Sequence, residues 1–169
     1  QSNSVILFKT MKILNVSYSD LFGGAAKSAY RIHKQINKIT TSKMIVVKKI
    51  SLDRSVISYN DSLTKFLFRL KNYLGIIISK FDNNLNPKSY NFFSSPILSF
   101  INKSEYDLIN LHWVNAETLS IDDIKKIKKP YMITMHDMWW ICGTENYLNL
   151  NDKKWKNGNF KNFFSKINF

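Results

Sequence analysis

The stretch Lys12–Ala29 reads KILNVSYSDLFGGAAKSA, and it decides the fold. Lys12–Val16 is short, rich in β-forming residues and followed by a polar loop, which is typical of a buried parallel strand. From Gly24 the pattern becomes helical, because apolar residues recur at three- and four-residue steps across Ala25–Ile36. A strand that passes through a Gly-Gly turn into such a helix predicts the first β-α unit of an α/β sheet.

The rest of the chain repeats this alternation of strands and helices. Further strands are predicted at 42–47, 108–111 and 131–135, and helices at 63–81, at 96–102 and from Ser120, while 48–62 is predicted to be irregular. The pattern predicts an α/β fold, a Rossmann-like parallel sheet with helices on both faces. We interpret residues 1–10 as a tag remnant or extension, 11–150 as the Rossmann-like domain and 151–169 as a basic, aromatic tail.

Length and composition bound the possibilities. The chain has 169 residues, 44% of them hydrophobic, which is enough for one sizeable core, and its formal net charge is +13. The charge has two open explanations: a compositional bias towards lysine, or attraction to an anionic partner such as a diphosphate or a membrane surface. A single cysteine, Cys142, excludes an internal disulfide. Since no apolar stretch approaches the ~20 residues that span a bilayer, a cytoplasmic protein is expected.

The Gly23-Gly24 pair is the first candidate for chemistry. Glycines at a strand-to-helix turn let ligand oxygens approach the backbone N–H groups at the positive end of a helix. A plain tight turn would use the same residues, and the dinucleotide and P-loop glycine patterns are both absent. Its place after the first strand favours an anion site, because ligands of open α/β sheets bind at the carboxyl ends of strands.

Two histidine pairs follow later strands. His136-Asp137 ends one strand, where an imidazole could donate to a sugar hydroxyl or a phosphate, and the carboxylate could orient the ring or cap the next turn. His112-Trp113 ends the strand before it, and the indole could stack on a sugar ring or simply pack. His33, inside the first helix, is expected at the surface or in packing.

Five segments, in this order, resemble a known family. They are Gly23–Ala26, Asn110–Asn115, Ser120–Ile124, Lys129-Pro130 and Thr134–Trp139. The series resembles the N-terminal half of a family-four (group 1) glycosyltransferase of the bacterial polysaccharide-biosynthesis type. The resemblance covers about Met11 to Tyr147.

The resemblance implies a GT-B architecture, in which two Rossmann-like domains face each other across a cleft. It implies sugar transfer from a nucleotide-sugar to a glycan or lipid-linked acceptor, with retention of anomeric configuration and with no metal or other cofactor. The N-terminal half receives the acceptor. The resemblance assigns Gly23 and Gly24 to the donor diphosphate, His136 and Asp137 to catalysis, and the substrate contacts to His112, Trp113 and Asn115.

The chain also departs from that family. After the His-Asp-Met-Trp motif the family usually continues PFTGGCHY, whereas residues 140–147 read WICGTENY. The paired glutamates of a C-terminal GT-B domain do not occur in the sequence, so the chain alone is expected to be inactive and to need that domain in cis or in trans. The alternative is a non-catalytic module that binds an anionic lipid, a glycan or a partner subunit. The basic, apolar segment 63–81 suggests peripheral membrane contact, or a core helix with solvated lysines, and no motif suggests nucleic acid.

Overall fold

The computed structural model describes residues 11–58, 62–80, 89–142 and 146–147; the predicted extension 1–10 and tail 151–169 lie outside them. Within that part of the chain the strands are β1 (Ile13–Ser19), β2 (Ser42–Lys48), β3 (Val56–Ser58), β4 (Leu108–Leu111) and β5 (Tyr131–Ile133). The helices are α1 (Gly23–Ile39), α2 (Ser62–Lys80), α3 (Pro96–Lys103), α4 (Ile121–Lys125) and α5 (Trp139–Cys142).

The strands form one five-stranded sheet in the order β3-β2-β1-β4-β5, and every neighbouring pair is parallel. The predicted Rossmann-like α/β sheet is therefore confirmed. The chain winds from β1 towards β3 on one side, and β4 then pairs with the other side of β1. Ligands of open α/β sheets usually bind where the strand order reverses, which here is at the carboxyl ends of β1 and β4.

Helices cover both faces, as predicted. On one face, Ala29 and Tyr30 of α1 pack against Met44, Val46 and Val56. On the other, residues of α2, α3 and α4 pack against the alternate strand positions in a larger cluster that includes Phe68, Ile97, Ile101, Ile109, Leu111 and Ile124. Because side chains alternate along a strand, Asn15 and Ser17 point to the α1 face while Leu14 and Val16 enter the larger core.

The helix starts follow local rules. Pro96 begins α3 and the Ser95 hydroxyl accepts a hydrogen bond from the N–H of Ile97. Ser120 and Asp123 form a reciprocal capping box at the start of α4. Asp123 also accepts from the N–H of Ser95, so one buried carboxylate joins two helix starts.

The structure contains two elements that the sequence did not predict. The segment predicted to be irregular contains β3, whose three residues pair with β2 at the sheet edge and are too few to show an alternating pattern. The short α5, which follows the last predicted strand, was not anticipated. His33 is fully buried, so of the two places expected for it the structure shows packing, against polar side chains of the sheet described below. No helix in the described part of the chain is long and apolar enough to cross a membrane.

Candidate functional site

The turn between β1 and α1 is held by two buried side chains. Ser19 accepts hydrogen bonds from the N–H groups of Leu21 and Phe22 through its hydroxyl oxygen. Asp20 accepts from the N–H groups of Ile50 and Ser51. Burial raises the pKa of its carboxyl, but the Ser51 hydroxyl and these N–H groups together lower it further, so the pKa lies below the ordinary value. The turn is thus locked to the loop after β2.

The amino end of α1 is open. Gly23 has φ +85°, a left-handed conformation that favours glycine, and a Cβ added at either Gly23 or Gly24 would have nothing within 4 Å. The N-cap residue, Phe22, makes no side-chain capping bond, and the first turn carries no acidic residue. Lys48 Nζ lies 3.9 Å above the centre of the Phe22 ring. The 17-residue helix therefore presents an uncapped, positive N-terminus beside a lysine.

Two of the predicted histidines meet at the same edge of the sheet. His112 directly follows β4, and its backbone N–H donates to the carbonyl of Val16 in β1, which holds His112 beside that strand. His112 Nδ1 lies 3.0 Å from Nε2 of His136, and the two ring centres are 5.3 Å apart. Burial lowers the pKa of His112 to about 3, helped by the neighbouring imidazole, and burial also lowers the pKa of His136. Both rings are therefore neutral at pH 7.

The carboxylate of Asp137 accepts hydrogen bonds from groups other than the His136 ring. Its carboxylate accepts from Nε1 of Trp113 at 2.7 Å, from the N–H of Trp139 at 3.1 Å and from Nδ2 of Asn115 at 3.3 Å. The Trp113 ring, half-buried, meets Tyr18 edge-on at 5.7 Å. Asp137 thus caps the start of α5 and joins Trp113 and Asn115, two of the predicted substrate contacts.

Buried polar atoms without partners occur near these residues. In the described part of the chain, they include Oγ of Ser17, at the end of β1, and Oδ1 of Asn115, in the loop after β4. Unpaired buried polar groups are rare in native proteins, because each typically costs about 1–3 kcal/mol.

Sequence reasoning missed several polar residues at this edge. Asn15 and Asn110 are buried side by side on β1 and β4, and Asn110 Nδ2 donates to Asn15 Oδ1 at 3.2 Å. The signal was present, since each is the single amide of its strand and lies between two apolar residues. Asn91, Ala116 and Glu117 all have positive φ, and they form the support of the loop after β4. Nothing in the local sequence marks that strain.

Comparisons with known proteins leave the family open: no family model, curated protein or solved structure matches this chain. In the described residues, no three His, Cys, Asp or Glu side chains converge into a group that could hold a metal ion. The chemistry available at this edge is therefore an open helix N-terminus, two neutral imidazoles, amides and an indole.

Proposed function

We propose that this chain is the N-terminal, acceptor-side domain of a retaining GT-B glycosyltransferase, which transfers a sugar from a nucleotide-sugar to a glycan or lipid-linked acceptor. The observation that carries the proposal is the open N-terminus of α1 beside the reversal of strand order between β1 and β4, at the same sheet edge as the His112–His136 pair. The motif order that resembles the family-four glycosyltransferases supports the same reading.

The proposed chemistry assigns the leaving group to α1. As the anomeric carbon of the donor sugar is transferred to the acceptor oxygen, its bond to the diphosphate oxygen breaks and negative charge grows on the leaving nucleoside diphosphate. The N–H groups at the start of α1 would stabilise that charge, and Gly23 and Gly24 leave room for the phosphate oxygens. His136 would contact the donor sugar, while Asp137, Trp113 and Asn115 form the adjoining wall. A C-terminal domain, in cis or in trans, would supply the rest of the donor site.

The second candidate is a binding module without catalysis, for an anionic lipid, a glycan or a partner subunit. The open helix end and the net charge of +13 serve that function equally well. The two candidate functions differ in whether a second domain is required. A second Rossmann-like domain with paired glutamates, encoded directly downstream or by a neighbouring gene, together with sugar transfer by the combined domains, supports the transferase. Donor binding without transfer in that combination supports the module.

Substitution of Gly24 by glutamate tests the anion site. We expect Gly24→Glu to weaken binding of uridine or guanosine diphosphate by roughly tenfold or more, because a carboxylate occupies the space in front of the helix N-terminus. The melting temperature should stay equal or rise, since an acidic first turn stabilises a helix. Calorimetric titration and thermal unfolding measure the two effects.

The matched control adds the same charge to the other end of α1. Gln35→Glu lies on an exposed position near the end of the helix and should leave nucleotide affinity unchanged. Equal affinity of the wild-type and Gly24→Glu proteins for both nucleotides would show that the helix end is not the diphosphate site.

We also propose a cytoplasmic protein that touches the inner membrane surface through α2. Phe68 enters the core, but Phe66, Leu67, Leu70, Tyr73 and Leu74 form an apolar stripe with side chains 38–62% exposed. The helix contains no acidic residue, and Arg69 is exposed beside the stripe. Basic helices with exposed aromatic and aliphatic residues lie in the interface of anionic bilayers.

Vesicle binding checks this contact. Replacing Phe66, Leu70 and Tyr73 together by serine should reduce partition onto phosphatidylglycerol vesicles by roughly tenfold or more, in sedimentation assays at low salt. The control replaces Leu52 and Ile39 by serine; these residues are 98% and 86% exposed and belong to other segments than α2. The same loss in both proteins would refute a role for α2.

A further inference from the structure

A buried hydrogen-bonded chain starts at His136 and runs into the interior. His136 Nε2 lies 3.0 Å from Nδ1 of His112, whose Nε2 lies 3.0 Å from Oδ1 of Asn15. The same oxygen accepts from Nδ2 of Asn110, and Thr134 Oγ1 donates to Oδ1 of Asn110 at 2.8 Å. The amide of Asn15 is therefore held with its oxygen towards His112 and its nitrogen away from it.

The hydrogen-bonded chain continues on the other side of Asn15. Its Nδ2 donates to Oγ of Ser42 at 2.9 Å, and that oxygen lies 2.8 Å from Nδ1 of His33. His33 Nε2 lies 2.8 Å from Oγ of Ser55, which donates to Oδ1 of Asp53 at 2.6 Å. Except for Ser55 and Asp53 at the outer end, these residues are buried.

The carboxylate of Asp53 determines which atom donates and which accepts in each hydrogen bond between Asp53 and Asn15. The hydroxyl and backbone N–H of Ser55 hold the pKa of Asp53 well below its ordinary range, so Asp53 is ionised and can only accept. Ser55 must then accept from Nε2–H of His33, so that His33 Nδ1 accepts from the hydroxyl of Ser42. Ser42 in turn accepts from the amide nitrogen of Asn15, as the geometry has it. If Ser55 donated to His33 instead, no hydrogen would lie between the oxygens of Ser55 and Asp53, and the two oxygens would repel each other.

The orientation of the Asn15 amide also determines the donors and acceptors at the functional site. Because Oδ1 of Asn15 can only accept, His112 carries its proton on Nε2, and its Nδ1 has a lone pair directed at His136. His136 must then donate through Nε2. We propose that His112 and Asn15 are positioning residues that fix neutral His136 as the Nε2–H tautomer and leave its Nδ1 as a hydrogen-bond acceptor.

This tautomer determines what His136 can recognise. Among the described residues Nδ1 of His136 has no partner, so in the neutral ring it is the atom left for a ligand. A lone pair accepts from a hydroxyl and repels a phosphate oxygen. His136 thus recognises a sugar hydroxyl, and the diphosphate is left to the start of α1. That ligand assignment rests on the proposed function, whereas the tautomer does not.

The chain holds three histidines in all, so selective ¹⁵N labelling of histidine resolves each ring. At pH 7.5 we expect His33, His112 and His136 each to show a protonated Nε2 and an unprotonated Nδ1. A proton on Nδ1 of either His112 or His136 would overturn the inference, and this measurement on the unaltered protein needs no variant to fold. Nucleotide binding is measured separately, so a failure of the transferase proposal leaves this result intact.

Asn15→Asp should reverse the tautomer of His136. A carboxylate beside Nε2 of His112 favours a doubly protonated ring, whose Nδ1–H then points at Nε2 of His136 and moves the His136 proton to Nδ1. The control, Asn37→Asp, adds the same charge on α1, and its Oδ1 can still accept from the N–H of Ser42. It should leave all three rings unchanged. An Asn15→Asp protein whose His136 keeps its proton on Nε2 would contradict the positioning role.

Discussion

Acidification from pH 6 to pH 5 should remove about 2 kcal/mol of folding stability, a large fraction of the total for a domain of this size. The reason is the pair of fully buried neutral histidines. Burial lowers the pKa of His33 to about 4 and that of His112 to about 3, against 6.5 in the unfolded chain. The unfolded state therefore binds almost two more protons than the folded state in this window.

The sign of the effect follows from those directions. A lowered histidine pKa means that stability is fully present above pH 6.5 and is lost as the pH falls towards the folded values. The lowered pKa values of Asp20 and Asp53 remove further stability below about pH 4, where unfolded carboxylates take up protons. Burial raises the pKa of Glu117, which opposes the trend. The charged neighbours of His33 act in both directions, since Asp53 favours its protonation and Lys34 and Lys43 disfavour it.

Urea unfolding at pH 7, 6 and 5 measures the loss. His112→Gln keeps a donor that can reach Asn15 while removing one titrating group, so the slope of the unfolding free energy against pH should fall by about half between pH 6 and 5. A flat pH dependence in the unaltered protein would mean that the buried rings are charged in the folded state.

Replacement of Asn91 by alanine should cost about 4 kcal/mol, the largest effect we expect from a single substitution. Asn91 Nδ2 donates to the carbonyls of Val114 and Leu119, both at 2.9 Å, and its Oδ1 accepts from the N–H of Glu117 at 3.1 Å. Alanine would leave these three backbone groups without their side-chain partner in a buried loop. The alanine would also have to adopt the φ of 50° that Asn91 has, and asparagine tolerates this conformation better than alanine.

The matched control is Asn102→Ala. Asn102 also bridges two backbone groups, donating to the carbonyl of Lys126 and accepting from the N–H of Lys128, but its bonds are exposed to water. We expect a loss of about 1 kcal/mol there, because water replaces the lost partner. Chemical denaturation of both variants makes the comparison. Similar losses in the two proteins would contradict the argument that burial makes Asn91 costly to replace.

Asn91 also shows what local sequence reasoning cannot reach. Its partners lie 23 to 28 residues away, so no window around it contains the reason for its conformation. The site histidines show the reverse. Each follows an apolar run, and in a parallel sheet the residues after each strand meet at one edge, which made the encounter of His112 and His136 predictable in outline. The adjacent Asp137 was nearest in sequence, yet it bonds to Trp113.

By itself the sequence determined the α/β class, the parallel sheet, the main helices and the edge at which polar residues gather. These follow from periodicity and from turn and capping residues, which act over a few neighbouring positions. Only the tertiary structure decided which polar side chains pair. The direction of the bonds from Asp53 to His136 depends on residues brought together from β1, β2, α1 and the loops after β2, β4 and β5. A carboxylate at one end orients donors that the sequence leaves ambiguous.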